Sequence, residues 1–270
     1  MQRKMNSMLK IEHLRKTFNA GTINEKKIFT DLNLTVEDGD FITIIGSNGA
    51  GKSTMLNAIA GSLIPDGGTI TLNGENITYM PDVKRAKYIG RVFQDPMMGT
   101  APNMWIAENM ALAYRRGSRH TLKWGMARGK EKEFFREQLA RLGLGLEDRI
   151  ETKVGLLSGG QRQAITLLMA TLRKPELLLL DEHTAALDPK TAATVLSLSD
   201  RIVTENRLTT LMVTHNMQNA IDYGNRLIMM HAGNVIYDIR GEEKKKLTVE
   251  DLLRKFNEVG GSVPDSAVLS

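Results

Sequence analysis

At 270 residues, with 41% hydrophobic and 25% charged side chains, the chain can bury one large core or two modest ones. It contains no cysteine, which excludes a disulfide framework and any thiolate-held metal. The net charge of +5 is mild and suits a polyanionic ligand, a nucleic acid or an anionic membrane surface about equally.

In chain order, residues 1–10 are polar with no apolar run, so no secretory leader is expected. Leu9-Lys10-Ile11-Glu12-His13-Leu14 and Leu32-Asn33-Leu34-Thr35-Val36 alternate with period two, which predicts half-buried antiparallel strands. Phe41-Ile42-Thr43-Ile44-Ile45 is more continuously apolar and β-branched, as in a strand covered on both faces. It runs directly into Gly46-Ser47-Asn48-Gly49-Ala50-Gly51-Lys52-Ser53-Thr54, a match to G-x-x-x-x-G-K-[ST], and helix formers follow at 55–60. The chemistry needs this composition. Glycines let successive backbone N–H groups turn towards phosphate oxygens with no Cβ in the way. The helix N-terminus adds partial positive charge, Lys52 can reach the β- and γ-phosphates of ATP, and the Ser53 hydroxyl can ligate Mg²⁺.

Thr69-Ile70-Thr71-Leu72 is a further alternating strand. From about 95 to 153 helix formers dominate, with apolar spacing at Trp105, Asn109 and Leu112 and at Phe134, Leu139 and Leu142. Within this stretch 114–132 is strongly basic, with several glycines and Trp124; it reads either as a solvated loop or as a contact with membrane subunits or lipid headgroups. Residues 156–160 read as a loop with a helix from Gln161, so Ser158, Gly159 and Gly160 stand at a second helix N-terminus and form a second anion site. One nucleotide does not need two such sites from one chain, whereas two chains facing each other would use both. Leu177-Leu178-Leu179-Leu180 is a buried strand ending in Asp181-Glu182, at the end where a parallel sheet exposes its ligand crevice. Asp181 is placed to hold Mg²⁺, and Glu182 to orient and deprotonate the attacking water. Pro189 marks a helix start. Thr210-Leu211-Met212-Val213 is another buried strand, 225–239 a closing hairpin turning near Ala232-Gly233-Asn234, and the polar tail from Gly260 is expected to be disordered.

These residues resemble the ATP-binding subunits of ABC transporters over nearly the whole chain. The signature motif of that family matches Leu157-Ser158-Gly159-Gly160-Gln161-Arg162-Gln163, its phosphate loop 46–54, and its acidic strand 177–182. The resemblance implies further roles. Gln94 would contact magnesium and water, His215 would be the switch histidine on the γ-phosphate, Asp188 would lie at the dimer seam, and Phe18 would stack on adenine. The family commonly has proline after the catalytic acid; here it is His183, a change expected to bear on loop stiffness rather than chemistry. The implied fold is α/β, a P-loop NTPase (RecA-like) core at 8–93 and 154–240 with an N-terminal antiparallel β subdomain, an inserted helical subdomain at 94–153, and a C-terminal helix at 241–259. The implied partners are a second copy or a similar ATPase, transmembrane permease subunits and a substrate-binding protein, with no nucleic acid. The implied place is the cytoplasmic face of the cell membrane, as a peripheral subunit. An importer is favoured over an exporter, because no membrane domain is fused and Ala101-Pro102-Asn103-Met104 with Glu108-Asn109 resembles the helical-domain entry of amino-acid importers. The competing reading is a non-transport ATPase acting on nucleic acid or ribosomes; those relatives usually carry two ATPase modules or a long coiled coil, and neither is visible. A P-loop kinase would not need 157–163.

Overall fold

The computed structural model describes residues 7–117 and 129–258; Trp124 with the centre of the basic segment, and the tail from Gly260, lie outside the described residues. The elements in chain order are β1 (Ser7–Phe18), β2 (Lys26–Glu37), β3 (Phe41–Gly46), α1 (Lys52–Ala60), β4 (Gly67–Leu72), β5 (Glu75–Asn76), α2 (Asp82–Arg85), β6 (Ile89–Val92), α3 (Ile106–Tyr114), α4 (Lys130–Ala140), α5 (Gly159–Thr171), β7 (Leu177–Asp181), α6 (Pro189–Asn206), β8 (Thr209–Val213), α7 (Met217–Asp222), β9 (Arg226–His231), β10 (Asn234–Arg240), α8 (Gly241–Lys245) and α9 (Val249–Glu258). They fall into two compact units. One takes the chain up to Arg85 and again from Thr209 onward; the other is Ala86–Leu208.

The first unit holds an antiparallel sheet in the order β2-β1-β4-β5. Its period-two strands bury Leu9, Ile11, Leu32, Leu34 and Val36. It also holds the strands β10-β9-β3-β8, in which β3 runs parallel to both β8 and β9. β9 and β10 form the closing hairpin, with Ala232 and Gly233 both at positive φ, as a tight two-residue turn demands. Ile45 joins Met217, Leu227, Met229, Leu252 and Phe256 in one buried cluster, which fixes α7 and α9 against this sheet. After β10 the chain forms two helices rather than the single one expected over 241–259, because Thr248 starts a new one. Thr248 Oγ1 accepts from Asp251 N at 3.2 Å and Asp251 Oδ2 accepts from Thr248 N at 3.1 Å.

Two buried arginines brace this unit. Arg226 donates to Asp238 Oδ1 and Oδ2 at 2.8 and 2.6 Å, to Asp40 Oδ2 at 2.9 Å and to Thr35 O at 2.8 Å, so it ties β9 to β10 and to β2. These carboxylates hold its guanidinium above the ordinary arginine value. Arg85 donates to Ala58 O and Ile59 O at 2.7 and 2.8 Å, which satisfies carbonyls that α1 leaves unpaired at its C-terminal end.

In the second unit β6 and β7 pair in parallel, and every residue of β7 is buried, which explains its continuous leucine run. α5 begins at Gly159, two residues earlier than the sequence suggests, since Ser158 already satisfies a first-turn amide. Glu108 and Asn109 serve the local fold. Glu108 Oε2 accepts from Trp105 N at 2.8 Å, and the Asn109 amide bonds both N and O of Ala101 at 2.8 and 3.1 Å, closing the entry to α3.

Candidate nucleotide site and family

The phosphate loop lies wholly in the first unit. β3 ends at Gly46, Ala50 N donates to Ser47 O at 3.1 Å, and the first helical bond of α1 runs from Met55 N to Gly51 O at 2.8 Å. Lys52, Ser53 and Thr54 therefore form the first turn of α1, at the end of the helix that carries its partial positive charge. Gly51 caps this helix at φ 99° and ψ 3°, a left-handed conformation. A Cβ there would stand 2.5 Å from Phe29 Cε1, so the loop can approach β2 this closely only with glycine. Lys52 is buried and folds back over the loop, donating to Gly46 O at 2.7 Å and Ser47 O at 3.2 Å. Ser53 is exposed. His215 follows β8, the parallel neighbour of β3, so His215 and the phosphate loop leave the same edge of one sheet. Phe18 ends β1 and is 37% exposed. Lys16 Nζ stands 5.6 Å from the ring centroid.

Two residues near this loop carry no sequence signal. Lys26 pairs with Phe18 across β1 and β2, and its Nζ lies 3.7 Å from where a Cβ on Gly49 would sit. It is a second ammonium beside the phosphate loop, and only strand register reveals it. His231, at the end of β9, has Nδ1 3.4 Å from Ser47 Oγ.

The second unit carries the acids and the signature turn. Asp181 is buried at the end of β7 and accepts from Arg91 Nη2 at 3.2 Å; the Arg91 guanidinium also lies 4.5 Å over the Phe93 ring. Glu182 is half-buried and takes φ 44°, left-handed for a residue with a full side chain. Gln94 is exposed just beyond β6. The residue before it is bonded to Gln163 of the signature motif, fully buried, whose Nε2 donates to Phe93 O at 3.1 Å. Ser158 caps α5 reciprocally: its Oγ accepts from Gln161 N and its N donates to Gln161 Oε1, both at 3.2 Å. Ser158 and Gly159 remain exposed at the positive end of a 13-residue helix. Gly160 is buried, and a Cβ on it would collide with Thr191 Cγ2. The first turns of α5 and α6 thus pack side by side, which brings the signature turn next to Asp188, the cap of α6. Asp188 Oδ1 accepts from Thr191 N at 3.1 Å, and its bonds with Thr191 hold the carboxyl below the usual range.

The sequence matches the ABC transporter family model over residues 29–185, more than half of its length. The chain belongs to the ABC transporter family. This ABC chain is 47% identical over 249 residues to the tyrosine transport ATP-binding protein of Clostridioides difficile strain R20291, covering 92% of this chain and 98% of that protein. Its fold is similar to the dimeric ATP-binding cassette MJ0796 in a post-hydrolysis state with ADP and Pi, with TM-score 0.72 and 29% identity over 86% of this chain and 98% of the other. It is likewise similar to cbiO1 of Clostridium perfringens, part of the ABC transporter complex cbiONQ, with TM-score 0.73 and 25% identity over 94% and 95% of the two chains. The fold is the P-loop NTPase α/β cassette, and the chain is an ABC ATP-binding subunit with ATPase activity. No described helix of this ABC subunit is long and apolar enough to cross a membrane. Ser53 Oγ in the first unit and the Asp181 carboxylate in the second are each hard oxygen donors of the kind Mg²⁺ takes alongside substrate phosphates.

Proposed function

We propose that two copies of this chain close on two ATP molecules. Each ATP is held by the phosphate loop of one copy and by the Ser158 turn of the other. The observation that carries this reading is the exposed, capped N-terminus of α5, an anion site additional to the one at α1. Phe18 stacks on the adenine, and Lys52 turns from the Gly46 and Ser47 carbonyls to the β- and γ-phosphates. Ser53, Asp181 and Gln94 would hold Mg²⁺, which would offset the charge on the phosphate oxygens. Ser158, Gly160 and Gln161 of the facing copy reach the γ-phosphate, with Asp188 at the seam. Glu182 takes a proton from the attacking water, and His215 hydrogen-bonds the γ-phosphate as charge builds there.

Hydrolysis then opens the pair and drives import through separate transmembrane subunits at the cytoplasmic face of the membrane, with a substrate-binding protein delivering the cargo. The likeness to the tyrosine transport subunit supports an amino acid as that cargo. Glu182→Gln should bind ATP, hydrolyse it at least roughly 10²-fold more slowly and sediment as a dimer. Wild-type turnover, or a monomer at saturating ATP, overturns the scheme. Co-purification with hydrophobic subunits and ATP-dependent tyrosine uptake into proteoliposomes test the cargo; co-sedimentation with ribosomes or DNA instead would count against transport.

A further inference from the structure

Glu182 is one of few non-glycine residues with positive φ, and the residue after it is a fully buried imidazole. Left-handed backbone at a residue with a Cβ persists only where the surroundings over-determine it. Local turn bonds contribute, from Ala185 N to Glu182 O at 2.9 Å and from Leu187 N to Thr184 O at 3.1 Å. His183 links this turn to a helix. Its Nε2 lies 2.9 Å from Ser199 Oγ in the middle of the 18-residue α6, and both side chains are almost completely buried. Ser199 Oγ also donates to Val195 O at 2.8 Å. A hydroxyl has one proton, so Ser199 accepts from His183 and the imidazole carries its proton on Nε2.

We propose that the His183–Ser199 hydrogen bond is a latch that holds Glu182 in its left-handed conformation, which makes His183 a positioning residue for ATP hydrolysis. The residue type in this position is then part of the catalytic geometry, beyond the loop stiffness that the sequence suggests. With the latch removed, the backbone at 182 relaxes towards the ordinary regions and carries the carboxylate away from its water. The inference rests on Glu182 being the general base.

The test is steady-state and single-turnover ATP hydrolysis, with equilibrium ATP binding and thermal melting, on four variants of the full chain. His183→Ala and Ser199→Ala should each lower kcat by roughly 10- to 100-fold, the cost of a small misplacement of a catalytic group, with ATP affinity unchanged. His183→Gln, whose amide nitrogen can stand where Nε2 stood, should recover most of that rate. Adding His183→Ala to Glu182→Gln should cost nothing further, since the latch acts only through Glu182. An unchanged kcat in both alanine variants overturns the latch. So does a loss that Gln does not rescue and that comes with weaker ATP binding or a lower melting temperature, the mark of a merely structural pair. If Glu182→Gln alone hydrolyses at the wild-type rate, the role of Glu182 falls first and the latch loses its purpose with it.

Discussion

A single side chain can matter here through where strand register puts it. Lys26 is exposed, its ammonium makes no hydrogen bond or ion pair among the described residues and stands beside Gly49, while its backbone pairs with Phe18. A charge so close to the phosphate loop should strengthen binding of a polyanion and be screened by salt. Lys26→Glu should weaken ATP binding roughly ten-fold at low ionic strength, with a smaller effect at high salt. Titration with a fluorescent nucleotide reads this, and equal affinity of the two proteins would place Lys26 off the nucleotide. His183 gives a second residue-scale expectation. Burial pushes its imidazole from 6.5 down to about 4, so the folded chain takes up a proton later than the unfolded one as pH falls. Its contribution to stability is complete above pH 6.5 and is lost progressively towards pH 4, by roughly 3 kcal/mol in all. Chemical denaturation at pH 7 and pH 5 should show a slope for the native chain that His183→Gln reduces.

At the scale of elements, the signature turn depends on two helices meeting closely. Gly160 has no room for a methyl group because Thr191 Cγ2, on the first turn of α6, occupies the place. Gly160→Ala should therefore force α5 and α6 apart at a cost of roughly 1–3 kcal/mol, seen as a lower melting temperature. Thr191→Ser removes the colliding methyl, so the double variant should regain most of that loss. Failure of the serine to rescue would mean that Gly160 is needed for something other than helix contact. The caps follow the same logic: Ser158 and Asp188 each satisfy a first-turn amide of the helix they begin, and this sets the direction of both helix N-termini.

At the scale of the whole chain, the first unit is braced by a buried charge network. Arg226 joins strands from two sheets through Asp40, Asp238 and the Thr35 carbonyl. Arg226→Met would leave Asp40 with its charge largely buried and its ion-pair partner gone, at a cost of roughly 3–5 kcal/mol. Melting of the purified variant checks this, and ATP binding should weaken with it, since β3 and the phosphate loop belong to the same unit. A melting temperature within a degree or two of the native value would show that Asp40 and Asp238 find other partners.

The sequence by itself determined the elements whose chemistry is local. The glycine loop between a β-branched strand and a helix, the leucine run ending in two acids, and the serine cap of the signature turn are each legible because their spacing is set by the backbone of a few neighbouring residues. The structure places each of these predicted residues on the expected strand end or helix start. Only the tertiary structure decided what lies beside them. Lys26 reaches Gly49 through strand pairing, Arg91 reaches Asp181 from the neighbouring strand, Gln163 holds Phe93 from 70 residues away, and His183 meets Ser199 on α6. Such contacts depend on packing between segments far apart in the chain. No local pattern of residues encodes packing of that kind.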